Sequence, residues 1–127
     1  MAAYRGDRVV VLIGHGSPRP QWRLPLDALA AALGGPEAGV HLAFMEHCDP
    51  SLASIAGACV EQGVTHLSVL PLFISSGGHV NREIRQQTDE VAAAHPELTV
   101  VTLPALGELD GVRAALSAII DGEISVD

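Results

Sequence analysis

The stretch Arg8-Val-Val-Val-Leu-Ile-Gly-His-Gly-Ser-Pro18 decides the fold. Val9 to Ile13 is an unbroken apolar run, rich in β-branched residues and too short for a helix of its own. Such a run is a strand buried on both faces, as in a parallel sheet covered by helices on either side. Gly14 closes it, and Gly-His-Gly-Ser opens a loop at its carboxyl end.

Working outward, the same grammar repeats. Second, third and fourth strands are predicted over Val40 to Met45, Thr65 to Phe73, and Leu98 to Leu103, the last ending at Pro104. Helical spacing fills the intervals. Leu26, Leu29, Ala30 and Leu33 recur at i, i+3, i+4 and i+7, and Leu52, Ile55, Ala56, Cys59 and Val60 do the same, so both stripes are expected to face the core. Asp49 before Pro50 reads as a capping carboxylate with proline at the first helical position, and Gly63 as the stop. A third helix is expected from Val80 to Ala94, ending before Pro96. The last uses Val112, Ala115, Leu116 and Ile119, with a frayed polar tail from Asp121. The prediction is an α/β protein, a three-layer α/β/α sandwich on a four-stranded parallel sheet, with residues 1–127 as a single domain.

Composition narrows the function. The 127 residues, 48% of them hydrophobic, can build one core. No run approaches the roughly 18 to 20 apolar residues that span a bilayer, and Val9 to Ile13 is too short for a signal-peptide core. Cys48 and Cys59 have the spacing of neither a disulfide framework nor a zinc knuckle. A reducing, cytoplasmic setting and no membrane partner are expected. A net charge of −8 argues against nucleic acid, which selects basic faces. All seven basic residues are arginines, and Arg19, Arg23, Arg82 and Arg85 follow the two histidine-bearing loops.

Open parallel sheets bind ligands beyond the carboxyl ends of their strands, where the strand order reverses. There the sequence places Gly14-His15-Gly16-Ser17, then Glu46-His47, then Ser75-Ser76-Gly77-Gly78-His79, then Pro104-Ala105-Leu106-Gly107-Glu108. With a strand order of 2-1-3-4, neighbouring strands lie roughly 4.8 Å apart, so His15 and His79 can converge with Glu46 close by. Neutral imidazole offers a lone pair, and nitrogen and oxygen donors together suit Co, Ni, Fe or Zn. Glycines beside both histidines leave room for a bulky flat ligand. His41, His66 and His95 read as surface or core residues, as does His47 despite following Glu46. Glu46 itself has a second reading, as a helix-entry or solvated carboxylate.

Other chemistries fit poorly. Ser17 and Ser75 lie in no Gly-x-Ser-x-Gly elbow. Neither cysteine has an arginine six residues on, as a cysteine phosphatase requires, and the third strand ends without a phosphoacceptor aspartate. The first loop has two of the three glycines of a dinucleotide fingerprint, and a chain without lysine has no Walker lysine, so no nucleotide is expected.

Four segments carry a family resemblance. They are Val10-Val-Leu-Ile-Gly-His-Gly-Ser-Pro18, Ala43-Phe-Met-Glu-His-Cys-Asp-Pro-Ser-Leu52, Val69-Leu-Pro-Leu-Phe-Ile-Ser-Ser-Gly-Gly-His-Val80 and Leu103-Pro-Ala-Leu-Gly-Glu108. In this order they resemble the motifs of the short-form CbiX-type sirohydrochlorin cobaltochelatases, class II chelatases. The resemblance implies a chelatase-like half-domain that inserts a divalent metal, Co2+ first and Ni2+ or Fe2+ as alternatives, into a sirohydrochlorin-type tetrapyrrole without ATP. It implies His15 as metal ligand and proton acceptor, and His79 as the second ligand. Glu46 would act in catalysis, and Glu46, Ile74, Ser75, Ser76, Gly77, Gly78 and His79 would contact the tetrapyrrole. Larger members carry two such halves, so a single copy is expected to form a homodimer. Two other readings stand beside this one: a non-catalytic metal or tetrapyrrole carrier of the same fold, and an oxyanion-binding domain using the Gly14 to Ser17 loop.

Overall fold

Each apolar run becomes a parallel strand in the computed structural model, which describes residues 6–75 and 77–124. The strands are β1 (Arg8–Gly14), β2 (Val40–Phe44), β3 (His66–Pro71) and β4 (Thr99–Thr102). They form one sheet in the order β2-β1-β3-β4. Val10 pairs with Val40, Arg8 with His66, and His66 with Thr99. The order reverses at β1, so the carboxyl ends of β1, β2 and β3 border a topological switch point. The helices are α1 (Leu24–Ala32), α2 (Leu52–Glu61), α3 (Gly78–Ala94) and α4 (Asp110–Ile124). Among the described residues, no helix is long and apolar enough to cross a membrane.

Because strand side chains alternate between faces, the sheet divides its core in two. Val9, Val11, Ile13, Ala43, Leu67 and Val69 pack against Leu52, Ile55, Ala56 and Cys59 of α2 and Ile84 and Val91 of α3. On the opposite face Leu12, Leu42 and Phe44 meet Leu26 and Ala30 of α1. Phe44 is also held from outside. The Arg23 guanidinium lies 4.7 Å from its ring centroid, and Trp22 meets it at 5.9 Å. Arg23 donates to the Asp27 carboxylate (Nε to Oδ2, 3.1 Å) and through Nη1 to the Asp49 carbonyl (2.7 Å). The hydrogen bond with Asp27 raises the Arg23 pKa above its already high ordinary value. Arg23 is therefore a clamp that ties the start of α1 to the segment after β2.

The structure corrects several expectations. Helix α2 begins after Ser51, whose Oγ accepts from the Ser54 amide at 3.1 Å, so Ser51 and not Asp49 is the cap. The Asp49-Pro50 peptide is cis and precedes the helix. Leu29 and Leu33 are substantially exposed, because α1 lies over β2 and reaches the core only through Leu26 and Ala30. The stripe of α4 is also exposed, and the helix continues past Asp121 to Ile124. Strands β3 and β4 are shorter than predicted, ending at Pro71 and Thr102.

Candidate functional site

Continuation of the β1–β2 ladder past the ends of the strands brings the first two loops together. The Met45 amide donates to the Gly14 carbonyl (2.9 Å) and the Glu46 amide to the His15 carbonyl (3.1 Å). Gly16 then turns at φ +106°, and a Cβ there would overlap the Glu46 carbonyl oxygen. Only glycine lets the two backbones meet this closely. The side chains follow: His15 Nε2 lies 3.3 Å from Glu46 Oε1, with both groups about half exposed. Gly14 serves a different purpose from the one expected. A Cβ at Gly14 would press on the Leu26 side chain at 3.1 Å, so it makes room for α1 rather than for a ligand.

The same carboxylate oxygen has a second imidazole, because His47 Nε2 also lies 3.3 Å from Glu46 Oε1. His47 holds φ +69°, the left-handed region that non-glycine residues seldom occupy, and such strain gathers at functional sites. Sequence reasoning set His47 aside. Its only signal was adjacency to Glu46. The helix-entry reading of Glu46 fails, since Ser51 caps the following helix.

His79 stands in the first turn of α3, beyond the end of β3, and is 80% exposed. Its Nε2 lies 3.8 Å from Glu83 Oε2, one turn further on, and it is outside the His15–Glu46–His47 cluster. The expected convergence on His15 is therefore not closed. Among the described residues no three His, Cys, Asp or Glu side chains are gathered to hold a metal ion. His15 and His79 border the same end of the sheet from adjacent strands, as open groups.

Between β3 and α3 the loop carries Ile74, 73% exposed, and Ser75, with Gly77 and Gly78 open to solvent beside them. Ser76 lies outside the described residues. The loop is anchored from below. The Gly107 amide donates to the Phe73 carbonyl at 3.0 Å, and a Cβ on Gly107 would overlap the Ile74 carbonyl. That contact explains why the fourth loop carries glycine. A cleft of about 340 Å³ opens next to it, lined in part by Asn81, Arg85, Leu103 and Glu108. Among the described residues no carboxylate pairs with Arg19, Arg82 or Arg85, whereas Arg23 is committed to Asp27.

The chain is 28% identical over 98 residues to the sirohydrochlorin ferrochelatase of Bacillus subtilis (strain 168), a match covering 73% of this chain and 36% of that protein. It is 35% identical over 77 residues to the sirohydrochlorin cobaltochelatase of Methanopyrus kandleri, covering 59% of this chain and 54% of that one. The chain thus matches about a third and about half of the length of these two relatives. A CbiX protein of Marinobacter aquaeolei VT8 superposes with a TM-score of 0.81 at 25% identity, over 92% of this chain and 97% of that one. SirB of B. subtilis superposes with a TM-score of 0.74 at 24% identity, over 95% of this chain but 48% of its own, and shows the fold. The CbiX family model matches residues 9–122, nearly the whole of the sheet and its helices, and the chain belongs to the CbiX family.

Proposed function

We propose that the chain inserts a divalent metal into a sirohydrochlorin-type tetrapyrrole without ATP, with Co2+ as the cation and Ni2+ and Fe2+ as its competitors. The observation that carries this reading is the His15–Glu46 pair at 3.3 Å, open to solvent at the switch point of a CbiX-family sheet. Metallation exchanges one cation for two pyrrole N–H protons, so it needs a base beside a site that releases its metal. His15 takes one pyrrole proton, with Glu46 steadying the imidazolium that results, and the second proton leaves to the solvent that reaches the half-exposed pair. His79 supplies a second nitrogen donor to the incoming cation from the neighbouring strand end. An open pair of this kind gives the ion up, where a closed four-ligand site would keep it.

The loop after β3 supplies the other surface. Ile74 presents an apolar side chain, and Gly77 and Gly78 leave the backbone approachable, so a flat macrocycle can lie against it. Arg19, Arg82 and Arg85 offset the acidic total locally, where carboxylate substituents of the substrate arrive. Two copies of the chain make the working unit, in a soluble cytoplasmic setting.

The experiment is the absorbance change of sirohydrochlorin with Co2+ at catalytic protein concentration, for wild type, His15→Ala and His79→Ala. We expect rate enhancement over the uncatalysed reaction, reduced by about 10² or more in His15→Ala and lost in His79→Ala. Full activity in both variants would sink the reading. Tight binding without turnover would replace it with the carrier reading.

A further inference from the structure

The main chain around Glu46 is fixed, by its amide on the His15 carbonyl and by Gly16 packed against its own carbonyl. That fixes where the side chain begins and not where it ends. The first two torsions of a glutamate have three staggered wells each, so about nine arrangements compete. Glu46 is about half exposed, and an exposed ion pair selects only weakly among such arrangements. The His15 contact alone is therefore a loose hold on the carboxylate.

A second hold comes from the next residue. His47 Nε2 lies 3.3 Å from Glu46 Oε1, the same oxygen that faces His15 Nε2. Among the described residues these two imidazoles make the only ion pairs of that carboxylate, and His47 has no other. In extended backbone consecutive side chains point to opposite faces. The left-handed backbone of His47, at φ +69°, lets its ring turn back to the carboxylate of its own neighbour. A chain that needed only the turn would take glycine there at no steric cost. Histidine accepts the strain and adds an N–H donor. An ionised carboxylate oxygen has lone pairs for two donors and no proton of its own, so it can face both rings at once.

We propose that His47 is a positioning residue: it holds the Glu46 carboxylate against His15, and through it fixes the His15 ring with the proton on Nε2 and the lone pair on Nδ1. The proposal rests on the metallation reading above and adds a residue to it. The partner of one imidazole nitrogen decides which nitrogen carries the proton. With Nε2 turned to Glu46, Nδ1 is the nitrogen left to meet the substrate. His47 itself transfers no proton.

The test uses His47→Ala, which keeps the strained backbone, His47→Gly, which relieves it, and His47→Gln, which restores an N–H donor at similar reach. Ring-nitrogen NMR at about pH 8, above the ordinary imidazole range, reads the His15 tautomer with neither metal nor tetrapyrrole present. Wild type and His47→Gln should show the Nε2–H form, and His47→Ala and His47→Gly a mixture of the two. With sirohydrochlorin and Co2+, kcat should fall roughly 3- to 10-fold in His47→Ala and His47→Gly alike, as the nine side-chain arrangements are released. Their Tm values should differ all the same, so the rate follows the donor and not the stability, and His47→Gln should recover most of the loss. One His15 tautomer in all four proteins overturns the proposal and leaves the metallation reading standing. A His47→Gln variant that restores the tautomer but not the rate overturns it too, since His47 would then be moving a proton. A wild type that shows the tautomer dependence but no metallation supports the hold on His15 and overturns the reading beneath it.

Discussion

Gly16→Ala tests the interlock of the first two loops. The new methyl group meets two obstacles: a backbone held at φ +106°, and the Glu46 carbonyl oxygen, which belongs to main chain and cannot swing away. Left-handed backbone costs an L-residue about 1–2 kcal/mol, and forcing a methyl group into a filled space typically costs ~1–3 kcal/mol. Together they remove roughly 2–5 kcal/mol, a large share of the ~5–15 kcal/mol that holds a domain folded. For a chain of 127 residues each kcal/mol moves the melting midpoint by about 4 °C. The expected fall in Tm is therefore roughly 8–20 °C, read by thermal circular dichroism. The metallation rate should fall as well even at temperatures where the variant is folded, because relief of the overlap moves Glu46 away from His15. A variant that melts within about 2 °C of wild type and keeps its rate would refute the claim that Gly16 sets the His15–Glu46 distance.

Two further outcomes follow from single positions. His47→Gly relieves the left-handed backbone of a non-glycine residue and should raise Tm by about 4 °C, for roughly 1 kcal/mol gained, while removing one imidazole from Glu46. A drop in Tm instead would mean that the Glu46 contact outweighs the backbone strain. At the opposite end of the sheet, burial lowers the pKa of His41, whose ring lies 3.9 Å from the Cys59 sulfur. The unfolded chain then binds more protons than the folded one below about pH 6.5, so this contribution is intact above that pH and is lost as pH falls through it. Between about pH 7.5 and about pH 5.5 wild type should lose more Tm than His41→Gln; parallel losses would contradict the assignment.

The sheet was legible because four β-branched runs, each closed by glycine, proline or a polar loop, admit few arrangements of a parallel α/β fold. The loops at the strand ends were legible for the same reason, and His15, Glu46 and His79 all lie beyond strand carboxyl ends. What periodicity could not convey was contact. It marks the apolar face of α1 but not what covers it, and so Leu29 and Leu33, on a stripe that reads as core, stay substantially exposed. Asp49 and Ser51 are both good caps, and sequence alone had no means of choosing between them. His47 escaped because its evidence is a backbone angle and a shared oxygen atom, neither of which has a sequence signature.

The register of the sheet also sets the lengths of chain that folding must close. Val10 meets Val40 across 30 residues and His66 meets Thr99 across 33, while Arg8 meets His66 across 58. Doubling a closed loop adds only about 0.6 kcal/mol of entropy, yet the β1–β3 closure is the one that joins the two halves of the sheet. The β1-α1-β2 unit by itself brings His15 beside Glu46, whereas His79 joins that end of the sheet only through the β1–β3 closure; recovery of the proposed metallation after denaturation would then report completion of the whole sheet, and recovery of helical signal only its parts.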